Sequence, residues 1–143
     1  IDLLEKSFVV FRLKSYSTNE RKEVTKMRKI YFYDIGIRNA IIDNFSPVEL
    51  RGDCGKLWEN LVVMEIIKAN EYAQRDCKYY FWRSLQQQEV DLIQTEEQKI
   101  TAYEMKWGAK GRITKAFTNS YPDALTHLIS PDNFYSWMFS GNL

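Results

Sequence analysis

Two short segments late in the chain carry residue types suited to handling a metal ion and a phosphate. Glu89-Val90-Asp91-Leu92-Ile93 reads as a strand, and period-2 alternation puts Glu89 and Asp91 on one face with Val90 and Leu92 on the other. One hairpin later, Glu104-Met105-Lys106 lies in a second strand, where Ala102, Glu104 and Lys106 share a face while Tyr103, Met105 and Trp107 point away. Each strand offers a carboxylate, and the second adds an ammonium. Magnesium or manganese takes hard oxygen ligands, which two carboxylates, water and a substrate phosphate supply, and a lysine beside them orients the attacking water and offsets developing charge. That is the set required for metal-dependent phosphodiester hydrolysis, with Asp91 and Glu104 on the metal and Lys106 on the water. A solvated sheet face also alternates Glu and Lys, and so short a pattern arises without any site.

A third carboxylate tips the balance. In Leu57-Trp58-Glu59-Asn60-Leu61-Val62-Val63-Met64-Glu65-Ile66-Ile67, Glu59 falls at helical spacing with Val62, Val63 and Ile66. An unpartnered charge among such neighbours is costly, so Glu59 is either a metal ligand with Asp91 and Glu104 or a packing carboxylate paired with an arginine. If the three converge, their like charges repel in the metal-free protein and raise at least one carboxyl pKa, and Asp91→Asn should relieve the strain. Just beyond the Glu-x-Lys strand, Lys110, Arg112 and Lys115 follow Trp107 and are candidates to grip a nucleic-acid backbone, although the solvated end of a helix asks for the same residue types.

Two other motifs fail on their own chemistry. Gly52-Asp53-Cys54-Gly55-Lys56-Leu57 imitates a phosphate-binding loop, but Leu50 stands where its first Gly belongs and Leu57 where its hydroxyl belongs, so no ATP site is expected in this chain. His127 has no serine or cysteine nucleophile context and reads as a core or surface histidine.

The elements that must position these residues follow from local signals. Ile1 to Lys6 reads as the last turns of a helix. Phe8 to Leu13 is a β-branched and aromatic run expected to form a strand buried on both faces, and Lys14 to Asn19 a polar loop. A basic, helix-neutral stretch from Glu20 to Lys29 leads into a strand over Ile30 to Tyr33, and Asp34 stands as N-cap to a short helix over Ile35 to Asp43. The longest helix is expected over Lys56 to Asn70, after a loop holding Pro47, Gly52 and Gly55. Tyr79 to Arg83, Glu89 to Gln94 and Ile100 to Trp107 should form three antiparallel strands. Arg112 to Thr118 is helix-compatible, Asp123 to Ser130 holds a short apolar run, and Phe134 to Phe139 is a last helix or strand.

With 143 residues, 45% hydrophobic and 15% aromatic, the chain can bury one substantial core, which argues for a single domain over residues 1–143. A net charge of +1, from 20 basic and 19 acidic residues, gives no global field, so any polyanion must be held locally. Cys54 and Cys77 form no Cys-x-x-Cys pair and read as reduced thiols of a cytoplasmic protein. No stretch approaches the roughly 20 apolar residues needed to cross a bilayer, so no membrane is expected as a partner.

In chain order, a helix Glu, a strand Asp and a strand Glu-x-Lys resemble the PD-(D/E)XK, or restriction-endonuclease-like, superfamily. There the helix Glu and the two strand carboxylates hold metal and the lysine serves catalysis. Further segments extend the likeness: Leu4-Glu5-Lys6-Ser7-Phe8, Lys29-Ile30-Tyr31-Phe32-Tyr33-Asp34-Ile35-Gly36, Trp58-Glu59-Asn60-Leu61-Val62, Tyr80-Phe81-Trp82-Arg83, Glu89-Val90-Asp91-Leu92-Ile93 and Tyr103-Glu104-Met105-Lys106-Trp107. In that order they resemble a domain of unknown function at the C-terminus of bacterial and archaeal P-loop ATPases of the AAA type. The likeness spans nearly the whole chain and departs at Lys14-Ser15, where Pro-Pro would precede Tyr16-Ser17.

The resemblance implies an α/β fold with a restriction-endonuclease-like mixed β-sheet core flanked by α-helices. It also implies an ATPase domain upstream in the same polypeptide, with residues 1–7 as the end of a linker. The expectation is a nuclease acting on DNA with Mg2+ or Mn2+ as a monomer or oligomer. The alternative is a non-catalytic nucleic-acid or protein binding module attached to the ATPase.

Overall fold

A six-stranded mixed sheet organises the molecule in the order β2-β1-β3-β4-β5-β6. The structure, a computed structural model, describes residues 1–17, 27–108 and 111–140. Its strands are β1 (Val10–Ser15), β2 (Arg28–Phe32), β3 (Cys77–Arg83), β4 (Glu89–Glu96), β5 (Lys99–Met105) and β6 (Leu125–Ile129). The helices are α1 (Asp2–Lys6), α2 (Ile35–Ile41), α3 (Cys54–Tyr72), α4 (Lys115–Ser120) and α5 (Phe134–Phe139). β1–β2, β3–β4 and β4–β5 are antiparallel, whereas β1–β3 and β5–β6 are parallel. This is the expected α/β class. No helix among the described residues is long and apolar enough to cross a membrane.

Local signals place the helices. Asp34 caps α2 as its side chain accepts from the backbone N–H of Gly36 and Ile37, satisfying donors that the first turn leaves open. In α3, Trp58, Val62, Val63, Ile66 and Ile67 are buried against Leu13, Tyr31, Phe81, Leu92, Tyr103 and Met105 of the sheet. Each such side chain contributes about 1.5–3 kcal/mol on burial, far more than the tenths of a kcal/mol that separate ordinary helix propensities, so packing holds this helix. At its C-terminal end Asn70 donates to Gln94 Oε1, which also accepts from the Tyr103 hydroxyl, both at 3.0 Å. On the opposite face Trp82, Val90, Ile93, Ala102 and Phe117 form a second core beneath α4.

Two expectations about strands are corrected. β1 is not buried on both faces: Val10 and Leu13 are buried, but Lys14 is exposed and Arg12 reaches out to Asp2 and Glu5 of α1. It lies one strand from the sheet edge, where the five-residue α1 cannot cover it fully. Strict alternation in β4 also fails. Tyr80 pairs with Ile93 while Trp82 pairs with Val90, so Phe81 alone opposes Asp91 and Leu92. This bulge turns Leu92 into the α3 core while Val90 stays in the α4 core. The expected helix-compatible stretch, apolar run and aromatic segment after residue 111 became α4, β6 and α5. The basic stretch over residues 20–26 lies outside the described residues.

Candidate active site

At the bulge, where β4 and β5 part, the sheet presents its acidic residues towards the N-terminal half of α3. The β4–β5 ladder ends at the Leu92–Tyr103 pair. Beyond it, the Asp91 side chain takes over, its Oδ2 accepting from the Met105 backbone N–H at 3.0 Å. Bulge and hydrogen bond together hold Asp91, which is 9% exposed, at the mouth of the strand split. β5 continues along β6, pairing Glu104 with Leu128 and Met105 with Ile129, so Glu104 and Lys106 emerge on one face as alternation predicts. Lys106 Nζ lies 2.6 Å from Glu104 Oε1. The other oxygen, Glu104 Oε2, is buried without a hydrogen-bond partner.

Glu59 does reach this region from α3, and its partner is a lysine rather than the arginine considered from sequence. Lys29 Nζ, on β2, lies 2.8 Å from Glu59 Oε1, 2.5 Å from Glu89 Oε1 and 3.2 Å from Asp91 Oδ1. The Tyr31 hydroxyl donates to the same Glu59 oxygen at 2.5 Å. Two residues apart on β2, Lys29 and Tyr31 share the face towards α3. Asn60 pins that strand to the helix, accepting from Phe32 N–H at 2.9 Å and donating to Phe32 C=O at 2.8 Å. Arg83 holds the remaining oxygen of Glu89. The expected repulsion among bare carboxylates is thus corrected for Glu59 and Asp91, which with Glu89 meet at a cation, while Glu104 keeps a raised pKa to which the charge of Asp91 contributes. Asp91→Asn would turn an amide N–H2 towards either Lys29 or the Met105 N–H, and so should cost stability rather than add it.

Charge states follow from these contacts. Burial pushes Lys29 down, but the charges of Glu59 and Asp91, with the hydrogen bonds that Lys29 donates to Glu59 and Glu89, hold it well above the ordinary lysine range. Tyr31 is raised well above a normal phenol by burial and by Glu59, so it remains a donor. Glu104 is raised, first by burial and then by the charge of Asp91, with Lys106 and Lys29 opposing. Lys106 is lowered by burial but raised overall by Glu104, Asp91 and Glu59. At neutral pH it is an ammonium, able to donate to water and unable to take a proton.

A cavity of about 910 Å³ opens on this cluster, lined by Glu59, Asp91, Lys106, Trp107 and Lys56 among others. Arg112 and Lys115 are exposed past the end of β5, and Lys110 lies outside the described residues. As the side chains stand, no group of three or more His, Cys, Asp or Glu among the described residues is placed to hold a metal ion. The donor set still fits magnesium or manganese at one end, where Asp91 and Glu104 offer hard oxygen donors and the orphaned Glu104 Oε2 has a free lone pair in a buried position.

Sequence reasoning missed Lys29, Tyr31 and Asn60. The signal for the first two was their period-2 spacing on a strand read as beginning at Ile30. Away from the site, the half-buried His127 stacks on Tyr103 at 5.5 Å and its pKa is lowered by burial. Cys54 and Cys77 are free thiols.

No curated protein and no solved structure matches the chain. Residues 1–48 match the profile of a domain of unknown function, DUF8612. Residues 54–133, which carry Glu59, Asp91, Glu104 and Lys106, match that of a second, DUF4143. More than half of the chain lies in that second match, and the chain belongs to the DUF4143 family.

Proposed function

We propose that this domain hydrolyses phosphodiester bonds in DNA with Mg2+ or Mn2+, on a restriction-endonuclease-like sheet. The observation that carries the reading is that Asp91 and the Lys106 ammonium line one cavity, with Glu104 paired to Lys106 and its other oxygen buried without a partner. Asp91 and Glu104 would hold the ion and Glu59 would assist as the third carboxylate. An ion bound there would polarise a phosphoryl oxygen and lower the pKa of water. The chain's own groups do the rest. Met105 N–H fixes the orientation of Asp91. Lys106 swings between Glu104 and an attacking water, presenting N–H donors to the water and offsetting charge on the phosphate. Lys110, Arg112 and Lys115, following the catalytic strand, would hold the DNA backbone without reading its sequence. The sequence likeness to C-terminal domains of AAA-type ATPases supports an ATPase domain in the same polypeptide as partner, with the cytoplasm as the compartment.

Lys29 favours a second reading. A cation already neutralising Glu59, Glu89 and Asp91 also suits a non-catalytic binding module for nucleic acid or protein, attached to the ATPase. Supercoiled plasmid separates the two. With manganese, the nuclease converts it to open-circular and linear forms, and excess chelator stops the conversion. If the full-length protein binds the plasmid but leaves it supercoiled with manganese, the binding module replaces the nuclease.

A further inference from the structure

We propose that Lys29 is a built-in cation occupying one half of the acidic site, so that the protein takes one divalent ion, at the Asp91–Glu104 end, and not two. The inference rests on the metal-dependent reading above and fixes its stoichiometry. Lys29 Nζ contacts oxygens of Glu59, Glu89 and Asp91 within 3.2 Å, with only 17% of its side chain exposed. An ammonium with three carboxylate acceptors has used all its donors, and a second ion at those oxygens would have to expel it. The oxygens are also committed elsewhere: Glu59 Oε1 to Tyr31, Glu89 Oε2 to Arg83 and Asp91 Oδ2 to Met105 N–H. Glu104 Oε2 is the carboxylate oxygen left buried with no partner.

Charge points the same way. The carboxylates of Glu59, Glu89, Asp91 and Glu104, set against the paired Lys29, Arg83 and Lys106, leave one negative charge uncompensated. One dication and one phosphodiester bring the cluster to neutrality, whereas two dications would leave it positive in a partly buried place even with Lys29 expelled. Lys29 thus stands in for the second metal of a two-metal arrangement, holding Glu59 and Glu89 in place and meeting Asp91 through Oδ1, so that Glu104 Oε2 and the second lone pair of Asp91 Oδ2 are left for an ion.

Manganese titration of the full-length protein by calorimetry, together with amine labelling of its lysines, tests this. One ion per chain is expected beyond any held by the ATPase domain, with Lys29 as poorly labelled at saturating manganese as without it. Lys29→Met should admit a second ion, and Lys29→Arg should keep the count at one. Two ions on the wild type, or a rise in Lys29 labelling as manganese is added, overturns the proposal while leaving the metal reading intact. No ion at all on the wild type overturns the metal reading, and this proposal with it. The labelling arm uses only the wild type, so it decides even if Lys29→Met fails to fold.

Discussion

Lys106→Ala should lower manganese-dependent DNA nicking by roughly two orders of magnitude or more, the scale of losing one charge-stabilising or water-positioning group. The ammonium is raised rather than lowered in pKa, so its loss removes a donor and a positive charge, not a base. Stability should fall as well, because Glu104, whose side chain is 8% exposed, loses its ion-pair partner, so the rates are compared well below the melting temperatures of both proteins. Lys106→Arg keeps the charge but not the compact, mobile head, and should recover only part of the rate. Equal rates for wild type and Lys106→Ala would remove Lys106 from the chemistry.

Lys29→Met should act on stability instead. The substitution leaves Glu59, Glu89 and Asp91 facing one another without the ammonium that joins them. Breaking a buried ionic cluster by removing one partner costs about 3–5 kcal/mol. For a chain of this length the melting temperature should fall by about 10–20 °C. Manganese should restore part of the loss, since a divalent ion that fills the vacated position binds the native state alone. Simple core damage would not respond to manganese. A Lys29→Met protein that melts within about 1 °C of the wild type, well below what a buried-pair loss requires, would show that the three carboxylates do not depend on this lysine.

Much of this fold was legible because its signals are local. Asp34 as a cap, the unbroken run of α3 and the two connections joining β3, β4 and β5 are each set by neighbouring residues. The candidate site was legible for the same reason in part: Asp91, Glu104 and Lys106 sit on consecutive strands of one meander. What escaped is long-range. Lys29 meets Asp91 across 62 positions of sequence, through the placement of an edge strand that periodicity cannot give. The bulge at Asp91 and Leu92 broke an alternation that the residue types obey perfectly well, since it depends on the pairing with β3. The parallel pairing of β1 with β3, which brings β2 and its lysine within reach of the site, is likewise topological. Reading Glu59 as a carboxylate among apolar neighbours identified its cost correctly but not its partner. The charge balance of the site therefore changed from a bare repulsive cluster to one that Lys29 compensates in part.

The central claim is that Asp91 and Glu104 form one metal-binding position beside Lys106. Crystals grown or soaked with manganese and measured at a wavelength where that ion scatters anomalously test it most directly. A single peak within bonding distance of Asp91 and Glu104 is expected, with Lys29 still on Glu59 and Glu89. A map without a peak there, with Glu104 Oε2 meeting only protein atoms or water at saturating manganese, would contradict it.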